Sequence, residues 1–253
     1  MLEVSVSDAV ATIVIDRPPA NAVNPALIEE FLKILPGIAG DPAVRCIVIT
    51  GTGRFFVAGA DIAVMRDLSR DNHVRMRRWV EVQRLLEVAP KPVIAAINGH
   101  ALGGGAELAL ACDLRIAAAG ATVGFPEMRL GLFPGAGGSQ RLPRLLGVHR
   151  ARLLMIEGDR MSAAQALAIG LVDEVVRDED FAGAVTDRAR DWATRPTTAI
   201  GLLKRSMAEG ASLDIDGALG AEWAAVQQLI TTEDAAEGLQ AFLDSRLPRF
   251  TGR

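Results

Sequence analysis

Two glutamates, Glu107 and Glu127, each stand beside a glycine turn in apolar surroundings. Glu107 follows Gly103-Gly104-Gly105 and is the single charge in the apolar segment 106–112. Glu127 follows Pro126 and precedes the glycine-rich stretch 131–138, which reads GLFPGAGG. A pair of carboxyl groups suits general acid–base chemistry, in which one takes a proton and the other gives one. Glycine lets backbone approach a ligand closely because no Cβ intervenes. Backbone N–H groups at such a turn can stabilise a developing oxyanion. A purely structural reading of Glu107 also exists, since the helix dipole favours an acid in any first turn. A reciprocal capping box would need Ser or Thr three residues earlier; Gly104 occupies that position and has no side chain.

The elements that must position these groups follow from periodicity. The apolar run 93–97 stops at Asn98-Gly99 and reads as a buried strand, followed by the glycine turn and a helix that opens at the glycines. The first N–H groups of that helix lack intrahelical partners and attract negative charge. Upstream, residues 4–6 and 10–15 are β-rich runs divided by Ser7-Asp8, a hairpin pattern. Asn24-Pro25 marks a helix start, which runs to residues 34–35 and is closed by Pro36-Gly37. Residues 43–50 read as a buried strand and 51–59 as a loop leading into AGADI at 58–62. Val74, Trp79, Val82, Leu85 and Leu86 define one amphipathic helix over 71–88, ended by Pro90 and Pro92. Residues 114–118 and 121–124 read as short strands. Strands thus alternate with helices to about residue 150, the α/β pattern of parallel strands joined by crossovers. Beyond it, helices are expected over 150–156, 162–168, 179–193, 197–208, 214–230 and 234–244, with Ser162 and Asp214 as caps.

Composition narrows the classes. A chain of 253 residues permits one large domain or two small ones, and 50% apolar residues suffice for a full core. A net charge of −4 argues against a basic nucleic-acid surface but leaves room for a small anionic ligand met by local Arg or Lys. Cys46 and Cys112 lie in apolar stretches and read as reduced core residues; there is no Cys/His metal pattern. No run of about 18 apolar residues is free of charge or glycine breaks, so no membrane span is indicated. The chain enters a strand pattern at once with no targeting segment before it, which points to the cytoplasm. His100 beside the glycine turn reads as a local structural histidine. GLFPGAGG lacks the Lys-Ser/Thr of a P-loop, Gln140 breaks a GxGxxG pattern, and a GxSxG nucleophile turn is absent.

Several pieces, in order, resemble the enoyl-CoA hydratase/isomerase (crotonase) superfamily. They are Arg17-Pro18 with Asn21-Ala22-Val23-Asn24, AGADI at 58–62, KPVIAAINGHALGGGAELALACD at 91–113, PEMRLGLFPGAGGSQRL at 126–142, AAQALAIGLV at 163–172 and EGLQAFLDSR at 237–246. The resemblance implies an α/β crotonase-like (ClpP/crotonase) spiral of repeated β-β-α units over residues 1–195, carrying an acyl-CoA site. It also implies a helical trimerisation region over 196–253, giving a homotrimer or a dimer of trimers. By this resemblance the amides of Ala60 and Gly104 form an oxyanion hole for the thioester oxygen, and Ala22, Ala58, Gly59, Asp61 and Ile62 line the substrate. Glu107 takes a proton from the water that attacks Cβ; Glu127 holds that water and protonates Cα. Coenzyme A is part of the substrate, and no metal, redox cofactor, nucleic acid or membrane is implied. Related isomerases generally need only the later glutamate, so the pair favours a hydratase over an isomerase or another crotonase-type lyase, and argues against a non-catalytic acyl-CoA-binding oligomer. The chain departs from many hydratases at Ala63 and Ser245, where lysines that hold the CoA phosphates are common. Arg54, Arg66 and Arg246 are the candidate substitutes.

Overall fold

Strands that alternate between two sheets set the architecture of this computed structural model, which describes residues 1–67 and 69–253. The chain begins with β1 (Leu2–Ser7) and β2 (Val10–Ile15), the expected antiparallel hairpin. Next is α1 (Pro25–Gly40), whose N-cap Asn24 accepts the Leu27 N–H at 2.9 Å. Then come β3 (Cys46–Gly51), β4 (Phe55–Val57), α2 (Ile62–Met65), α3 (Arg70–Arg77) and α4 (Trp79–Glu87). The pattern recurs as β5 (Val93–Ile97), β6 (His100–Leu102) and α5 (Gly104–Leu110). It recurs again as β7 (Leu114–Ala118), β8 (Thr122–Gly124), a 3-10 turn at Pro126–Leu130, α6 (Gly138–Leu146) and α7 (Val148–Glu157). β9 (Arg160–Ser162), α8 (Ala163–Ala168), β10 (Glu174–Val176) and α9 (Phe181–Ala193) complete the core, and α10 (Thr197–Gly210), α11 (Ile215–Leu229) and α12 (Glu233–Leu243) follow.

The first strand of each repeat joins a six-stranded sheet, ordered β1-β2-β3-β5-β7-β10; the second joins a four-stranded sheet, ordered β4-β6-β8-β9. Three strand–strand–helix turns therefore wind as a spiral, as the resemblance implied. β5 shows why its run is wholly apolar: Val93, Ala95 and Ile97 enter one core cluster, while Ile94 and Ala96 enter another on the opposite face, beneath Val185, Ala189 and Ala193 of α9. Strands buried on both faces read as continuous apolar runs.

Several expected boundaries move. α1 continues through Pro36, because Leu35 is fixed in the core before it and Ile38 packs on the same core after it. The 71–88 pattern is two helices that meet at Arg78; Val74 is 58% exposed while Trp79 is buried, so the two halves do not share one face. β3 starts at Cys46 because the chain first turns, Val44 N–H donating to Asp41 O. The 51–59 loop contains β4, and the second glycine-rich stretch leads into α6. At the C-terminal side, Lys204 of α10 ties this helix to the core. Its ammonium donates to the carbonyls of Leu86 and Lys91 and to Asp113. Among the described residues no helix is long and apolar enough to cross a membrane.

Candidate active site

The parallel strands β4 and β6 deliver two glycine turns to one place. After β4, Val23 bridges Ala60: the Val23 N–H donates to Gly59 O and the Asp61 N–H to Val23 O, both at 2.8 Å. The N–H of Ala60 alternates to the other side of this extended segment. After β6, Gly103 turns the chain at φ +51°, and Gly104 opens α5. A Cβ placed on Gly104 would lie 3.8 Å from Ala60 N, and one on Gly59 would lie 3.9 Å from Gly104 N. The two amides are therefore neighbours. Neither donates to a protein acceptor among the described residues. Gly105 has a separate reason to be glycine: any Cβ would fall 2.2 Å from Val57 O, so α5 seats directly on β4.

Glu107 is 2% exposed, and its Oε1 accepts the N–H groups of Ala136 and Gly138, both at 2.9 Å. The second glycine stretch thus supplies backbone donors to the first carboxylate. Burial pushes the Glu107 carboxyl upward; the Gly138 and Ala136 amides and the Arg141 charge act the other way. Glu127 comes from the 3-10 turn after β8, and its Oε1 would lie 2.7 Å from a Cβ on Gly103. Its Oε2 is buried and has no partner among the described residues. Burial raises this carboxyl to about 7, the negative charge of Glu107 adding to the rise and the residue's own amide offsetting part of it. The two acids therefore differ in surroundings: one is ringed by amide donors, the other is not.

The residues expected to line a substrate lie on the two segments joined at the Val23–Ala60 bridge. Arg17 donates to Ala22 O at 2.9 Å and pairs with Asp61 at 2.6 Å, which holds the Asp61 carboxyl below its usual range. Ala58 N–H donates to Ala20 O, Gly59 is buried, and Ile62 is 53% exposed at the start of α2. Asp61 caps α2 by accepting the N–H of Ala63. Of the substitute cations, Arg66 ends α2 and is exposed, one turn from Asp61. Arg54 lies at the opposite end of the strands, its carbonyl receiving the N–H of His100 where β6 begins. Arg246 is engaged by both oxygens of Glu237. His100 meets the Thr122 hydroxyl at 2.9 Å, the local role expected of it. Cys46 and Cys112 are free and buried, their thiols pushed up to about 12 by burial.

The sequence reading left three neighbours of the site unassigned. Trp79, Gln83 and Glu87 recur at helical spacing along α4, and Trp79 Nε1 donates to Gly104 O at 3.1 Å. Gln83 and Glu87 both receive the guanidinium of Arg141. A polar stripe at i, i+4 and i+8 on the apolar side of a helix was the available signal.

Two unpaired amides thus lie beside a pair of carboxyl groups in unlike surroundings. The chain matches the family model described as Enoyl-CoA hydratase/isomerase over residues 5–253. It is 42% identical to a protein named crotonyl-CoA hydratase from Syntrophomonas wolfei, over 97% of this chain and 96% of that one. It is 39% identical to a short-chain-enoyl-CoA hydratase from Clostridium acetobutylicum, over 94% and 92% of the two chains. The solved structure of an enoyl-CoA hydratase from Bacillus anthracis superposes with a TM-score of 0.93 at 39% identity, covering 100% of this chain and 99% of that one. The chain belongs to the enoyl-CoA hydratase/isomerase family and has its crotonase fold.

Proposed function

We propose that this protein is an enoyl-CoA hydratase that adds water across the double bond of a 2-trans-enoyl-CoA to give a 3-hydroxyacyl-CoA. Full-length relatives bearing hydratase names support the activity. The observation that carries the mechanism is the contrast between Glu107, held by two amides, and Glu127, whose Oε2 is unpartnered.

The amides of Ala60 and Gly104 receive the thioester oxygen and draw electron density from the conjugated double bond. Glu107, whose amide donors favour its ionised form against the upward push of burial, takes a proton from water as the water oxygen bonds to Cβ. The resulting enolate charge rests on the same two amides; losing one such donor typically costs about 100- to 1000-fold in rate. Glu127, protonated below about pH 7, holds the water and gives its proton to Cα. Hydrogen and hydroxyl add syn, because both acids act from one side. A water-mediated transfer from Glu107 to Glu127 resets the pair. The reaction is redox-neutral, and the proposal assigns coenzyme A to the substrate and no role to a cofactor.

Ala22, Ala58, Gly59, Asp61 and Ile62 are the proposed substrate contacts, with Arg66 the proposed replacement for the missing lysine at Ala63. The proposed assembly is a homotrimer or a dimer of trimers built through residues 196–253, with 1–195 as the core. Supporting this, α11 buries none of its residues within one chain, and Trp223, Phe242 and Leu243 are 60%, 83% and 76% exposed. Apolar surface of this extent marks association sites. The proposed setting is the cytoplasm, in keeping with two free buried thiols. The test is loss of enoyl-thioester absorbance with crotonyl-CoA. Wild type is expected to hydrate it, while Glu107→Gln and Glu127→Gln each lose about 100- to 10,000-fold in kcat with the fold intact. Near-normal turnover in both variants overturns the proposal.

A further inference from the structure

The polar stripe of α4 lies across both glycine turns. Trp79 holds the carbonyl of Gly104. One turn on, Gln83 is completely buried, and its Oε1 accepts Arg141 Nη1 at 2.5 Å. One further turn on, Glu87 accepts Arg141 Nε. Arg141 projects from α6, and its Nη1 also donates to Ala136 O at 3.3 Å. Ala136 is the residue whose own N–H donates to Glu107. Between the two donors of Glu107 stands Gly137 at φ +110°, where a Cβ would fall 1.8 Å from Arg141 Nη1. The guanidinium is thus laid directly against the turn that receives the carboxylate.

We propose that Arg141, gripped by Gln83 and Glu87, is a positioning residue for Glu107: it fixes the 136–138 turn whose two amides hold that carboxylate. Three directed bonds from one planar guanidinium fit this task better than a lysine ammonium would. Gln83 Nε2 has no partner among the described residues although it is buried. An unpaired buried donor is unfavourable, and an apolar side chain of similar size would avoid it. The grip of Oε1 on Arg141 explains why an amide stands there. The charge of Arg141 also favours the ionised form of Glu107. Of the elements against α5, β4 and β5 bring no titratable group, and β6 brings His100 at its far end. The 126–130 turn brings Glu127 and Arg129, and α6 brings Arg141 and Arg144. Arg129 is turned to Asp159, and Arg144 is engaged with the carbonyl of Gln140. From α4, Glu87 is paired with Arg141. Burial raises the Glu107 carboxyl, and the Gly138 and Ala136 amides and the Arg141 charge oppose it.

The consequence for turnover rests on the hydratase reading; the geometry does not. The test compares Arg141→Met, Arg141→Lys and Gln83→Met with wild type by two readouts: kcat on crotonyl-CoA across pH, and the carboxyl carbon NMR titration of Glu107 without substrate, assigned through Glu107→Gln. Arg141→Met is expected to lower kcat about 10- to 100-fold, as misplacement of a reacting group does, to change KM little, and to move the Glu107 titration upward. Arg141→Lys keeps the charge and loses the fork, so the titration stays nearer wild type while kcat still falls. Gln83→Met lowers kcat in the same direction by less, and decides the matter should Arg141→Met fail to fold. An unmoved Glu107 titration in Arg141→Met, or wild-type kcat in both Arg141→Lys and Gln83→Met, overturns the proposal. A wild-type protein that fails to hydrate crotonyl-CoA instead overturns the hydratase reading, and the titration still decides the positioning role.

Discussion

Burial raises the Glu127 carboxyl to about 7, so it changes charge near neutral pH. In the unfolded chain the same group ionises near the ordinary carboxylate value of about 4.3. Between these values the folded protein carries a proton that the unfolded chain has lost, and stability falls as pH rises. The full penalty is present above pH 7 and absent below the unfolded value. Glu127→Gln is therefore expected to raise the melting temperature at pH 8, by the equivalent of about 1–3 kcal/mol, and to leave it unchanged near pH 4. Thermal melts at the two pH values check this. Hydration by wild type should also decline as pH rises through about 7, where Glu127 loses the proton it is proposed to donate. At this scale the two glutamates were legible from their type and from the glycines beside them. Their separate roles came only from the family resemblance. The difference in their surroundings was not legible, because it depends on amides of Ala136 and Gly138, which the fold brings to Glu107 from far along the chain.

The strand–glycine–helix segment from β6 into α5 separates folding from function at adjacent positions. Gly105→Ala would force a Cβ to within 2.2 Å of Val57 O, a collision with backbone that neither element can relieve. It is expected to destabilise the protein by at least about 3 kcal/mol, seen as a lost or greatly lowered unfolding transition in urea. Gly103→Ala meets the side chain of Glu127 instead and adds a left-handed alanine, costing about 1–2 kcal/mol. That variant is expected to fold and to lose most of its kcat, because the displaced carboxyl no longer meets the substrate. The alternation of strands and helices was readable because each buried strand is an unbroken apolar run. β4 and β6 were hidden because three residues show no period. α6 was hidden because its first turn belongs to the glycine stretch. The break between α3 and α4 was missed because it follows from where Trp79 is buried, a matter of tertiary packing.

Over the whole molecule, apolar side chains remain uncovered on the three last helices, including Met207, Leu219, Trp223, Leu239, Phe242 and Leu243. Uncovered apolar faces of this kind support the proposed assembly. Trp223→Glu together with Phe242→Glu is expected to shift the protein toward monomer, read as mass by sedimentation equilibrium. A monomeric wild type would contradict the proposed assembly. The CoA-phosphate contacts were the least legible part. Ala63 and Ser245 carry no charge, and the replacement proposed at Arg66 could be ranked over Arg54 and Arg246 only once their places were known.

Ala60 and Gly104 are proposed jointly to grip a thioester oxygen while Glu107 and Glu127 act on the carbons beside it. A crystal structure with acetoacetyl-CoA is the decisive test. The thioester oxygen is expected within hydrogen-bond distance of both amide nitrogens, with the two carboxyl groups facing Cα and Cβ from one side. A thioester oxygen bound by neither amide, or an acyl chain out of reach of both glutamates, would contradict it.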